Sequence, residues 1–115
     1  MTTETLGERI RRKRGERRIG LRQAAGQAGI SPTFLSRIET SAEKAIPSED
    51  VIRKLAGILD DDFDELMALA GRISAEVSNY VKSDPGMPEF LRQARERKMS
   101  AGKLMELLEK AKDDD

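Results

Sequence analysis

Residues 21 to 39 read LRQAAGQAGISPTFLSRIE, and this pattern predicts two short helices joined by a tight turn. In the first half, Leu21 and three alanines recur every three or four residues, so small side chains form a narrow stripe on one helix face. Gly29 suits a helix end with positive φ, and Ser31 before Pro32 suits an N-cap followed by the first helical position. The sequence therefore predicts helices over 21–28 and 32–39.

The second of these helices has an inner and an outer face. Leu35 and Ile38, three residues apart, are predicted to point into a core. Phe34 is predicted to pack half-buried, because a chain with three Phe and one Tyr offers no aromatic platform for stacked bases. The residues predicted to point outward are Pro32, Thr33, Ser36 and Arg37.

Similar signals predict helices on both sides of this pair. Thr5 and Glu8 have the spacing of a capping box, so a helix should begin at Leu6, and it is predicted to run to about Arg17. The five predicted helices follow Thr5, Gly20, Ser31, Ser48 and Asp62, and the last ends at Gly71. The predicted inner face of the fourth consists of Val51, Leu55, Ile58 and Leu59. Asp62 and Glu65 repeat the capping-box spacing.

Further helices are predicted after Gly71. Ser74 and Ser100 are candidate N-caps, and Pro88 suits the start of a helix between them. The segment 84–86, Asp-Pro-Gly, separates the first two, because proline and glycine continue a helix only at a cost. We therefore expect an all-α chain with a helical bundle over residues 1–71 and a helical region over 72–115.

The composition limits the function. The 115 residues include no Cys and no His, so the usual zinc ligands, disulfides and imidazole or thiolate catalysis are excluded. The acidic cluster of Asp60, Asp61, Asp62 and Asp64 lacks the glycine turn and the distal glutamate of a calcium loop. We expect no enzyme, no cofactor and no metal site. No apolar run reaches the roughly 18 residues of a membrane span, so we expect a cytoplasmic protein without a membrane contact.

The net charge of zero averages over unlike segments. Residues 1–40 hold 9 basic and 4 acidic residues, residues 41–70 hold 3 and 8, and residues 71–115 hold 9 and 9. The first segment is therefore basic, as expected of a surface that docks on a polyanion. The arginines of the first helix either form a solvated face or, near Arg17 and Arg18, meet phosphate.

The segment from Leu21 to Glu39 closely resembles the helix-turn-helix of the Cro and lambda-repressor family, also called xenobiotic-response-element regulators. The resemblance extends over residues 6–71. It implies a five-helix DNA-binding bundle whose third helix lies in the major groove of double-stranded DNA. The base-contacting residues that it implies are Pro32, Thr33, Ser36 and Arg37. Arg37 matches the acceptors of guanine, although pairing with an acid or a phosphate is the alternative.

The resemblance also implies contacts with the DNA backbone. Free amides and hydroxyls at helix starts suit phosphate oxygens. The candidates are Arg17, Arg22, Gln23, Ser31, Thr40, Ser41 and Lys44. The sequence departs from the family in two places: Leu21 stands where many members have a phosphate-binding Gln, and the stretch from Glu39 to Pro47 is about two residues longer, with Thr40 replacing a basic residue.

The C-terminal helices are predicted to form a homodimer. One recognition helix of eight residues is about 12 Å long, so such proteins gain affinity by pairing on two-fold sites. The predicted interface residues are Val77, Tyr80, Phe90, Leu91, Leu104, Met105 and Leu108. The alternative is that this region folds back on the bundle.

The function expected from these observations is a transcriptional regulator, more specifically a repressor that binds a two-fold operator. The alternative is an antitoxin or protease-controlled repressor whose C-terminal helices bind a regulatory protein partner.

Overall fold

The computed structural model describes residues 4–42 and 45–113, and the described residues form helices and no strand. The expected all-α fold is confirmed. Two compact units divide the chain between Ser74 and Ala75, three residues after the predicted division. The first unit contains α1 (Leu6–Glu16), α2 (Leu21–Ala28), α3 (Pro32–Glu39), α4 (Glu49–Leu59) and α5 (Phe63–Leu69). The second contains α6 (Ala75–Ser83), α7 (Met87–Glu96) and α8 (Ala101–Asp113).

α1 begins with the predicted capping box. The Glu8 amide donates to Thr5 Oγ1 at 3.1 Å, and the Thr5 amide donates to Glu8 Oε1 at 3.0 Å. These bonds satisfy two amides that have no partner within the helix. The helix ends at Glu16, one residue earlier than predicted, and Arg17 is its C-cap.

The turn between α2 and α3 forms as the sequence predicted. Gly29 has a φ of 73°, and the Ile30 amide donates to Ala25 O at 3.0 Å. Ser31 Oγ accepts the Phe34 amide at 3.0 Å, and Pro32 occupies the first turn of α3. The Ser31 N-cap therefore fixes where α3 starts.

The core of the first unit forms where α2 meets its neighbours. Ala24 and Ala25 are fully buried, and their small side chains allow the other helices to approach closely. The predicted inner residues of α3, Leu35 and Ile38, are both buried there. This core consists of Ile10, Ala24, Ala25, Ala28, Leu35, Ile38, Ala45, Leu55 and Leu59.

The predicted inner face of α4 was incomplete. Leu55 and Leu59 are buried, and Val51 and Ile58 are half-buried and pack against the same core. The prediction missed Ile52 and Ala56, which pack with Leu66 and Met67 of α5 in a second cluster. α4 is therefore covered on two sides, and a single apolar stripe underestimates the surface it buries.

The start of α5 also differs from the prediction. Asp62 Oδ1 accepts the Glu65 amide at 2.9 Å, as an N-cap does. The reciprocal bond of a capping box is absent, because the Asp62 amide donates to Asp61 Oδ1 at 2.7 Å. The Glu65 carboxylate instead accepts a bond from Arg9 of α1 at 2.6 Å.

Arg9 thereby connects α1 to the segment between α4 and α5. Its guanidinium donates to Asp61 Oδ2 at 2.9 Å and to Oδ1 at 2.6 Å. Burial favours a raised pKa for Asp61, but the hydrogen bonds from Arg9 and the Asp62 amide outweigh burial and hold the pKa below its ordinary value. The stabilisation is therefore complete above the ordinary pKa and is lost as the pH falls through the lowered one.

A close contact joins α1 to the C-terminal end of α3. A Cβ atom added to Gly7 would lie 2.5 Å from the carbonyl oxygen of Glu39, and closer still to that of Ile38. Farther along α1, Arg14 Nε and Nη2 each donate to the Glu39 carboxylate at 2.9 Å. Arg14 Nη1 also donates to Ile19 O at 3.0 Å. We call the line from Gly7 to the Arg14–Glu39 pair the α1–α3 seam.

The second unit has little core of its own. Of its described residues, only Ala94 is buried. Its large apolar side chains are mostly exposed, and Tyr80 and Leu108 are 67% and 59% exposed. A unit with this much exposed apolar surface is typical of an interaction region.

Gly7→Ala should destabilise the first unit. The added methyl would meet backbone oxygens rather than a flexible side chain, so we expect a loss of about 1–3 kcal/mol in the free energy of unfolding. Gly15→Ala in the same helix is the control, because its added Cβ meets nothing within 4 Å. It should stabilise the chain by about 0.5–1 kcal/mol. Urea denaturation measures both, and equal stability of the two variants would contradict a tight seam.

Candidate nucleic-acid interface

The exposed face of α3 contains the side chains predicted to contact bases. Thr33, Ser36 and Arg37 are exposed, and Pro32 is half-buried. Leu35 and Ile38 on the opposite face are buried in the core. α3 therefore presents hydroxyl groups and a guanidinium from one side while its other side is fixed by packing.

Both ends of α3 are held in place. The Ser31 N-cap bond defines its start, and the α1–α3 seam holds its last residue. The Glu39 side chain is only 6% exposed, and that of Arg14 is 18% exposed. The hydrogen bonds with Glu39 raise the pKa of Arg14, so the guanidinium stays charged. A bidentate pair of charged hydrogen bonds fixes the relative orientation of the two side chains as well as their distance.

The start of α2 offers groups suited to phosphate. Gly20 is its N-cap and provides no side-chain bond to the first-turn amides. Arg22 and Gln23 of that turn are both exposed. Amides at the start of a helix favour anions. α2 therefore provides a basic side chain, an amide side chain and backbone donors in one turn.

The hydroxyl candidates around α3 differ in their availability. Ser31 is exposed, and its oxygen accepts the N-cap bond, which leaves its hydrogen able to donate. The Thr40 hydroxyl already donates to Ser36 O at 3.1 Å and approaches Arg37 O at 3.3 Å. Ser41 is exposed, with a φ of 57°. If Thr40 is to donate to a phosphate, its hydroxyl must first break the hydrogen bond to Ser36 O.

The other two candidates are cations. Arg17 is 45% exposed, and its Nη1 lies 3.8 Å from Asp60 Oδ2, so its ion pair is long and screened by solvent. Lys44 lies outside the described residues. The phosphate contacts of Arg17 and Lys44 therefore stay predictions.

Several arginines of α1 bind carboxylates of the same unit. Arg9 pairs with Asp61 and Glu65, and Arg14 pairs with Glu39. Arg12 donates to Glu4 at 2.7 Å and to Glu16 at 2.8 Å. The basic charge counted from the sequence therefore overstates the charge that α1 offers to DNA.

Sequence reasoning missed the residues of the α1–α3 seam. The spacing of Thr5 and Glu8 indicates a capping box but no role for Gly7 between them, and the pattern at Glu39 indicates only the end of a helix. A glycine inside a helix costs about 1 kcal/mol relative to alanine, which signals a close packing contact. The pairing of Arg14 with Glu39 joins residues 25 positions apart, and no local pattern reveals it.

The predicted dimer residues are exposed on the second unit. Val77, Phe90, Leu91 and Met105 are between 43% and 57% exposed, and Leu104 is half-buried. A groove of about 370 Å³ on this unit is lined by Phe90, Leu104, Met105, Leu107 and Leu108. Four of the seven predicted residues therefore line the groove, together with Leu107, which the prediction omitted. The other three, Val77, Tyr80 and Leu91, are not part of its lining.

The described residues contain neither a membrane-spanning helix nor a metal-binding cluster. No described helix combines the length and apolar character that a membrane crossing requires. No group of three or more acidic residues within the described ranges is arranged to hold a metal ion.

Comparison with known proteins identifies the family. Residues 5–69, more than half of the chain, match the family model described as a helix-turn-helix domain. The chain is 33% identical over 91 residues to an uncharacterized HTH-type transcriptional regulator, RghRB, of Bacillus subtilis strain 168. It is 37% identical over 70 residues to the HTH-type transcriptional repressor RghR of the same organism. These matches cover 79% and 61% of this chain.

The fold comparison agrees with the sequence comparison. A chain of the SinR protein/SinI protein complex matches with a TM-score of 0.50 and 25% identity, over 94% of this chain and 95% of that one. The chain spans 57% and 51% of the length of the two curated relatives. The predicted fold, a lambda-repressor-like bundle followed by C-terminal helices, is confirmed. The chain belongs to the helix-turn-helix family of lambda-repressor-like transcriptional regulators.

Proposed function

We propose that this chain is a sequence-specific repressor that binds a two-fold operator in double-stranded DNA as a homodimer. The observation that carries the proposal is the exposed face of α3, where Thr33, Ser36 and Arg37 stand opposite a buried face. In this family such a helix enters the major groove. A cytoplasmic location, where a regulator meets its DNA, is part of the same proposal.

The base contacts follow from the chemistry of α3. The Arg37 guanidinium has two parallel donors that fit the O6 and N7 acceptors of guanine. Ser36 can donate to or accept from a base edge, and the Thr33 methyl can contact a thymine methyl. Pro32 begins the helix and limits how closely its start approaches the groove. Arg22, Gln23 and Ser31 contact the backbone, with Arg17, Thr40, Ser41 and Lys44 as further candidates.

One of the two relatives favours repression over activation. The relative RghR is a transcriptional repressor, and this chain is 37% identical to it over 70 residues. A dimer bound across an operator excludes other proteins from that DNA without needing a further domain.

The second unit supplies the homodimer contact in this proposal. Its apolar side chains exceed what its own packing buries, since Ala94 is its only buried described residue. A stable interface removes about 800 Å² per partner from water. In a two-fold dimer both copies present the same groove, and each copy covers the groove of the other. Dimerisation sets the two half-sites of the operator roughly 34 Å apart.

A regulatory protein partner is the second candidate for this surface. The similar SinR chain was solved in a complex with the SinI protein. A helix of another protein seated in the groove of the second unit would compete with the homodimer. Co-purification of a non-identical protein in fixed ratio favours this candidate, and repeated recovery of a homodimer alone opposes it.

Arg37→Ala should weaken binding to the preferred site by roughly 1–3 kcal/mol and broaden the range of sequences bound. The reason is loss of the bonds that distinguish guanine from other bases. The measurement is fluorescence anisotropy with a selected operator and with scrambled DNA.

Arg22→Ala is the control for Arg37→Ala. It removes a backbone contact, so affinity should fall equally for operator and scrambled DNA, and the salt slope should drop by about one unit. If Arg37→Ala lowers affinity for both DNAs equally, Arg37 contacts phosphate and does not read bases.

Leu108→Glu in the full chain should shift the dimer toward monomer and weaken operator binding, because it places a charge in the apolar groove. Lys110→Glu is the control, since it lies about 200° away around α8. Sedimentation velocity over a range of concentrations measures both. An unchanged dimer in Leu108→Glu would contradict pairing through this groove.

A further inference from the structure

The α1–α3 seam separates a core side from a solvent side. On the core side lie Ile10 of α1 and Ile38 of α3, which are both buried. Residues of a helix are spaced about 100° apart, so Ile10 stands about 60° to one side of Gly7. Any residue on the other side of Gly7 must therefore point away from the core.

Arg11 is the residue of α1 on that solvent side. It stands about 40° from Gly7 and about 60° from Arg14, on the flank opposite Ile10. Along the helix axis it lies between these two contacts with α3. The backbone of Arg11 is consequently placed beside the last turn of α3.

The same solvent side belongs to the DNA-facing part of α3. Ser36 stands about 60° from Glu39, on the side away from Ile38. Thr40 follows Glu39 directly, and both Ser36 and Thr40 are exposed. Arg11 therefore shares its side of the seam with the proposed base-contacting and backbone-contacting residues.

Arg11 is also available for a ligand. It is exposed, and no hydrogen bond or ion pair joins its side chain to another residue in the part of the chain that the structure describes. Its neighbours Arg9, Arg12 and Arg14 are each held by a carboxylate. Four arginines of one helix thus divide into three that bind within the unit and one that does not.

We propose that Arg11 is an additional DNA-contacting residue that binds a backbone phosphate beside the C-terminal end of α3. The inference rests on the proposed function, because it requires α3 to lie in the major groove. When a helix lies in that groove, one of the phosphate strands passes its C-terminal end. Arg11 would occupy there the role that the sequence assigned to Thr40, whose hydroxyl donates to Ser36 O.

The test compares the salt dependence of operator binding for three variants of the full chain. Arg11→Gln removes one phosphate contact, so the slope of log K against log salt should decrease by about 0.9. Arg11→Lys keeps the charge and should keep the slope. Arg12→Gln is the matched control, because Arg12 adjoins Arg11 but binds Glu4 and Glu16. Its slope should equal that of the parent.

Each outcome decides one proposal. A lower slope for Arg11→Gln alone, with an unchanged melting temperature, supports the contact. Equal slopes for Arg11→Gln and the parent overturn it, as do equal decreases for Arg11→Gln and Arg12→Gln, which would report only net charge. If the parent chain itself shows no preference for any DNA over scrambled sequence, the proposed function fails instead.

Discussion

The ion pair between Arg14 and Glu39 is the interaction on which the DNA-binding face depends. Its two bonds of 2.9 Å join α1 to the last residue of α3, and the Glu39 side chain is almost fully buried. Removing two charges from water costs several kcal/mol per ion, so such a pair adds little net stability over an apolar contact. We infer that its main effect is to set the direction of α3. The close approach at Gly7 sets the distance, and the Ser31 N-cap sets where the helix starts.

The sequence predicted the local elements well. Capping residues such as Thr5, Ser31 and Ser48, and the positive φ of Gly29, depend on neighbours three or four residues away, so a local pattern is enough to find them. The outward face of α3 followed from the same periodicity. These features explain why the helix boundaries and the exposure of Thr33, Ser36 and Arg37 agree with the structure, while the base contacts stay a proposal.

Long-range contacts were beyond the sequence pattern. Glu65 has the spacing of a capping box with Asp62 but binds Arg9, which lies 56 residues away. Ile52 is fully buried although the periodicity of α4 favoured Val51, because α5 covers a second side of the helix. The number of basic residues likewise does not show which of them are paired. In the structure, Arg9, Arg12 and Arg14 of α1 form internal ion pairs, and Arg11 is exposed.

In the proposed function, α3 is held by the α1–α3 seam and reads the same short DNA sequence once in each half of a two-fold dimer. Selection of bound sequences from a random double-stranded pool by the full chain tests it most directly. We expect a two-fold symmetric motif with a guanine in each half-site and half-site centres about 10 base pairs apart. Recovery of unrelated sequences, or of a single motif without symmetry, would contradict it.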